Sequence, residues 1–216
     1  MTIYQIIALC AAVLCLILML FHLFRLIRLG APKDLSEKSG NVGKSVVYSN
    51  TMAMMPNAKE SAYLHIPTFT LGVLFHVGTF LSLLVFLLSF FPFFTFWLIH
   101  DPWIHYAVAA IISITALSGL LLFGKRMYSR SLRHLSNADD FLSNGFTTVF
   151  QIVTFLYLSF PAQTAVHAVY YIFSALLFLY MPVGKLKHAV YYFAARFHLG
   201  HFYGWRNVWP PKTKNG

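Results

Sequence analysis

Long apolar runs alternate with short basic segments along this chain. Five runs stand out, at roughly 3–24, 62–90, 103–123, 145–160 and 163–182. Each approaches or exceeds the roughly 20 residues that a helix needs to cross a hydrocarbon core of about 30 Å. In lipid only helices and closed barrels satisfy their own backbone groups. Strict period-two alternation is absent, which argues against a barrel. The pattern therefore predicts an all-α integral membrane protein, a five-transmembrane-helix bundle forming one membrane domain over 1–216. The second run stays apolar as far as Ile99, so its far end is the least defined boundary.

Boundary residues agree with this division. Pro67 falls in the first turn of the second span, where a missing N–H costs little. Asp101 and Pro102 read as N-cap and first helical residue of the third span. Asp139 and Asp140 precede the fourth, where carboxylates suit a helix N-terminus. Pro161 separates the fourth span from the fifth.

Composition and charge then set the orientation. The chain has 216 residues, of which 58% are hydrophobic and only 10% charged, with a formal charge of +10. So few charged residues exclude a soluble domain of ordinary make-up. Arg25, Arg28, Lys33, Lys38, Lys44 and Lys59 fall between spans one and two. Lys125, Arg126, Arg130 and Arg133 fall between spans three and four. Lys185, Lys187, Arg196, Arg206, Lys212 and Lys214 follow span five, in a basic tail over 183–216. The other loops have none. Alternate loops are basic, so the positive-inside rule places the N-terminus outside and the C-terminus inside. The positive charge is thus a topological signal, with anionic lipid or an acidic partner as a further use and no nucleic acid implied. The first run lacks a basic flank before it and reads as a retained helix, not a secretory signal. Cys10 and Cys15 lie in one apolar run and match neither a disulfide framework nor a zinc pattern.

The chemistry lies in the histidines, ten in so apolar a chain. Ionisable residues within spans are rare and functional by default. His65 and His76 are eleven residues apart on span two, within roughly 20° of one helix face and about 16 Å apart along the axis. His167 lies early on span five and His188 just past its end. Opposite chain directions place His65 and His188 near the inner boundary and His76 and His167 further out. Neutral imidazole is a good iron ligand, and helical bundles build cofactor sites from facing helices. The arrangement predicts two bis-histidine haems, paired His65–His188 and His76–His167. One strain is visible: His167 and His188 would be roughly 31 Å apart in a continuous helix. Pro182 and Gly184 offer a break that shortens that span. His22 and His105 are spare candidates with an interfacial reading of their own.

Met181-Pro182-Val183-Gly184-Lys185-Leu186-Lys187-His188 resembles the proline, small residue, basic residue, then histidine signature that ends the last membrane helix of the respiratory nitrate reductase gamma subunit family. That family includes the membrane cytochrome b subunits of heterodisulfide reductases. Ser136-Asn137-Ala138-Asp139-Asp140-Phe141-Leu142 is similar to its segment before helix four. The resemblance implies a cytochrome b with two haem b groups, or one if a pair is lost, exchanging electrons between the quinone pool and an inner-face partner. Carried across, its four haem-iron ligands become His65, His76, His167 and His188. It also implies a prokaryotic cytoplasmic membrane.

Quinone chemistry needs an apolar, lipid-accessible pocket and a group that exchanges protons. His100, Asp101 and His105 in the outer loop are the candidates, with an aromatic belt and a helix cap as their plainer role. No cysteine cluster supports an iron–sulfur site in the chain itself. Electrons at the inner haem must therefore pass to an iron–sulfur or heterodisulfide-reductase-like subunit. The tail, with Arg196, Arg206, Phe197, Phe202, Tyr203, Trp205 and Trp209, is the expected docking surface or a segment lying on headgroups. The expected function is the quinone-reactive electron-transfer subunit of a respiratory oxidoreductase complex. The alternative is a haem-free membrane anchor for a peripheral enzyme. A histidine-relay transporter ranks third, since embedded acidic or lysine partners and inverted repeats are absent.

Overall fold

The computed structural model describes residues 1–30, 34–58 and 60–211. Lys33, Lys59, Lys212 and Lys214 lie outside them. Among the described residues every regular element is helical. In chain order these are α1 (Ile3–Leu29), α2 (Val42–Asn50), α3 (Glu60–Leu64), α4 (Ile66–Leu88), α5 (Pro92–His100), α6 (Pro102–Tyr128), α7 (Arg130–Leu135), α8 (Ala138–Ser159), α9 (Thr164–Tyr180) and α10 (His188–Trp205), with short 3-10 turns at Met52–Met54, Pro56–Ala58 and Lys185–Lys187.

α1, α4, α6 and α8 are each long and apolar enough to cross a membrane, and α9 with the Lys185–Trp205 segment makes a fifth if counted as one broken span. The chain is a multi-pass membrane protein by length and composition. Two boundaries depart from the sequence reading. The second apolar run is three helices: His65 interrupts α3 and α4, and the turn at Ser89–Phe91 ends α4 before Pro92 opens α5. Pro92 lacks the N–H an unbroken helix would use there, so continuous hydrophobicity does not give a continuous helix.

Contacts divide the chain into two compact units, Met1–Leu16 with Pro67–Leu186, and Ile17–Ile66 with Lys187–Gly216. In the first unit, α8 packs between α6 and α9. Gln151 on α8 is fully buried, and its Nε2 donates to the Phe75 carbonyl and to Thr79 Oγ1 on α4, both at 3.0 Å. The expected caps form. Asp101 Oδ1 accepts from the Trp103 and Ile104 N–H groups, both at 3.0 Å. Asn137 Oδ1 accepts from Asp140 N at 3.1 Å, while Asp140 accepts from Asn137 N at 3.0 Å. This reciprocal capping box satisfies two helix-end donors at once. Asp140 also pairs with Arg126 at 3.1 Å and Lys185 at 2.7 Å. Those partly exposed pairs contribute little by themselves. Asn137→Ala is expected to cost about 1 kcal/mol through the lost cap, read as a lower melting temperature in detergent by circular dichroism.

In the second unit, α2 lies against α10 with almost no gap. Ser45 and Ser49 are fully buried. A Cβ at Gly200 would meet Val46 Cα at 2.6 Å, so glycine is what lets the two backbones approach. Polar side chains then clamp the pair. Ser49 Oγ donates to the Arg196 carbonyl at 2.7 Å, and Arg196 Nε donates back to the Ser49 carbonyl at 2.8 Å. Trp205 Nε1 donates to the Ser36 carbonyl at 2.8 Å, and Arg206 pairs with Asp34 at 2.8 Å. The Ser36 hydroxyl, then the Ser36 N–H and then Arg206 hold the Asp34 carboxyl below its usual 3.8. A lowered carboxyl stabilises the fold above that value and loses its contribution as the pH falls through the folded one. Hydrogen exchange of the 34–39 segment should therefore separate wild type from Asp34→Asn above pH 3.8. The two should converge at lower pH.

Candidate functional site

The four expected ligands fall two to each unit. His65 and His188 belong to the second. His65 stands exposed at the break between α3 and α4, its N–H bonded to the Ala62 carbonyl at 3.2 Å. His188 opens α10 and is also exposed. Both imidazoles thus sit at helix junctions. The spare candidate His22 is in the same unit, its Nδ1 3.4 Å from the Tyr191 hydroxyl one turn beyond His188.

His76 and His167 belong to the first unit, and the structure does not bring them together. Gln151 on α8 marks the level of Phe75 and Thr79, while Tyr157 on α8 meets His167, with ring centroids 4.8 Å apart. Six residues separate those two positions on α8, roughly 9 Å. The direct contact of α4 with α9 gives a larger figure. Phe86 packs on Phe178 at 4.8 Å and on Tyr170 and Tyr171 at 6.4 Å. His76 lies ten residues back from Phe86, and His167 three or four back from the tyrosines on a helix running the other way. The two routes bracket their separation along the axis at roughly 9 to 20 Å. Direction also differs. Phe75, Gly78, Thr79, Ser82 and Phe86 form the packed face of α4, and His76 projects about 100° round from Phe75. His76 is exposed, and its Nδ1 lies 2.7 Å from the Gly72 carbonyl. A carbonyl only accepts, so Nδ1 carries the proton and Nε2 keeps its lone pair for a ligand. His167 points inward, with Nε2 buried and unpartnered among the described residues.

His167 belongs to an aromatic core instead. Tyr157 stacks on Tyr170 at 4.4 Å, Tyr170 meets Tyr171 at 5.1 Å, and Phe150 stacks on Tyr170 at 6.4 Å. Ser82 Oγ, Gln151 Oε1 and the Tyr170 hydroxyl are likewise buried without a partner among the described residues. Asn144, Thr147, Thr148, Gln151 and Thr154 recur at three- and four-residue steps on α8, all but the half-buried Asn144 buried, so this polar stripe is legible in the sequence.

The three quinone candidates separate. His100 lines a pocket of about 370 Å³ with Gln5, Ser89, Phe90, Thr95 and Phe96. Its ring stacks on Phe96 at 4.4 Å, and its Nδ1 lies 3.0 Å from the Phe96 carbonyl. Gln5, across the pocket, donates from Nε2 to the Tyr171 hydroxyl at 3.2 Å. Asp101 is spent on capping α6. His105 is half-buried, with Nδ1 3.3 Å from the Leu98 carbonyl, and does not line the pocket.

The donor type at all four histidines suits haem iron. His65 and His188 share a unit and present exposed rings. The register of α4 against α9 does not suit one haem bridging His76 and His167. No family model matches the chain, and no curated protein or solved structure matches it either.

Proposed function

We propose that the chain is the membrane cytochrome b subunit of a redox complex, exchanging electrons between a membrane quinone and an iron–sulfur partner at its basic end. One observation carries this reading: His65 and His188, far apart in sequence, fall in one compact unit, each exposed at a helix junction. The Pro182–His188 signature supports it. A haem b, when bound, supplies the one-electron chemistry. His65 and His188 would hold its iron through neutral imidazole nitrogens. The pocket beside His100 has the size and the apolar wall that a quinone head needs, with Phe96 to stack on it and Gln5, Ser89 and Thr95 to hydrogen-bond it. His100 would give or take the proton at Nε2, because Nδ1 faces the Phe96 carbonyl. Basic alternate loops support an inner-face position for the iron–sulfur partner, and the resemblance supports a prokaryotic cytoplasmic membrane.

A haem-free anchor is the second reading, and the packing of the first unit favours it. His167 packs in the aromatic core around Tyr170, while His76 lies exposed off the packed face of α4. A dithionite-reduced minus oxidised spectrum with a pyridine haemochrome titration separates the cases. One b-type haem per chain is the expected result, held by His65 and His188. Two would mean that α4 and α9 slide against each other when haem binds. None, after expression with adequate haem, establishes the anchor.

A further inference from the structure

Arg196, Arg206, Tyr203, Trp205 and Trp209, the cations and rings that the tail offers a partner in sequence, are engaged within the unit itself. Arg196 caps α2 and lies over the Trp209 ring at 5.8 Å, and Trp209 packs on Tyr203 at 4.6 Å. Arg206 pairs with Asp34 and covers Phe202 at 3.8 Å. From Tyr191 to Phe197, α10 keeps an uncovered apolar surface instead. The end of α2 meets α10 at Arg196; Phe193, one turn before, is 65% exposed and Phe197, the next residue, 57%. Tyr191 and Tyr192 are exposed beside them.

Within the same unit, Tyr191 meets His22 on the second half of α1, with ring centroids 6.1 Å apart. His22 precedes Arg25, the first basic residue after that span, by three residues or roughly 4.5 Å. The start of α10 therefore lies level with the basic end of the apolar run of α1. The unit's segments hold eleven lysines and arginines against three acidic residues, and no acidic residue follows Asp140 in the chain. Aromatic side chains at the boundary level, cations around them and no carboxylate on the helix are the composition of a headgroup-level element.

We propose that α10 from His188 to Phe197 rests in the headgroup layer at the basic end of α1, with Phe193 and Phe197 inserted into lipid. Its occupant is an anionic bilayer surface. This stands whether or not the chain binds haem. The test uses the full chain with Cys10 and Cys15 replaced, carrying one nitroxide label at 193, 197 or 44. It is reconstituted in nanodiscs of phosphatidylethanolamine and phosphatidylglycerol. Lys44 is exposed at the opposite end of α2 and serves as the water-facing reference. Labels at 193 and 197 should each collide with oxygen severalfold more than with a water-soluble nickel chelate, and the label at 44 should show the reverse. Two labelled positions keep the test decisive if one variant fails to fold. Nickel access at 193 and 197 equal to that at 44 would overturn the proposal and leave this face to a soluble partner. Shielding from both reagents would overturn it too, by placing the phenylalanines against protein.

Discussion

Replacing His188 by alanine is expected to abolish the b-type absorption of a one-haem chain, and to halve it in a two-haem chain. Haem b is held only by its axial ligands and its pocket, so removing one imidazole removes one of the two protein bonds to the iron. The fold should tolerate the change. His188 is exposed and opens α10, so alanine leaves no cavity, and its helix propensity is higher. The clamp between α2 and α10 lies further along, at Arg196, Gly200 and Gly204. Circular dichroism and elution volume should therefore match wild type while the haemochrome signal disappears. His65→Ala should do the same. His134→Ala and His201→Ala are the controls. His134 ends the short α7, and His201 stacks on Trp205 at 5.7 Å. Equal haem in all five proteins would sink the ligand assignment. His167→Ala distinguishes the haem counts: it should leave a one-haem chain unchanged and cost a two-haem chain half its signal.

The spans were legible because burial in lipid imposes long apolar runs, and the caps were legible because each uses a short, local code. Asp101 and Asn137 with Asp140 needed only their neighbours to be read. The break at Pro92 was masked by apolar residues on both sides. The pairing of His76 with His167 rested on chain direction and counting from span ends. A 3.6-residue period gives the azimuth of a residue on its own helix. It does not give the sliding register of one helix on another, which Phe86 against Phe178 and Gln151 against Thr79 set here. The α2–α10 clamp was hidden for another reason. Serines and glycines carry no hydrophobic pattern, and their partners lie some 150 residues away in sequence. Their role appears only once two backbones are seen to touch.

Close approach in the first unit leads to a second large effect, at Gly78. Gly78→Ala should destabilise the chain, although alanine is the better helix former by about 1 kcal/mol. A Cβ there would press on the Thr115 side chain and lie 2.6 Å from Gln151 Oε1. Neither neighbour can retreat. Thr115 is buried, with its hydroxyl donating to the Ile112 carbonyl at 3.0 Å. Gln151 is fixed by its two bonds to α4. Overpacking a site of this kind costs roughly 1–3 kcal/mol, and Gly78→Leu should exceed that range because the larger side chain must part α4 from α6 and α8. Gly72, on the same helix, provides the internal reference, since a Cβ there meets nothing within 4 Å. Gly72→Ala should hold or raise the melting temperature in detergent, while Gly78→Ala lowers it. Because both substitutions change helix propensity equally, the difference between them isolates the helix contact. A drop at Gly72 as large as at Gly78 would mean that α4 tolerates no added volume anywhere, and that the Thr115–Gln151 contact is not what fixes its place.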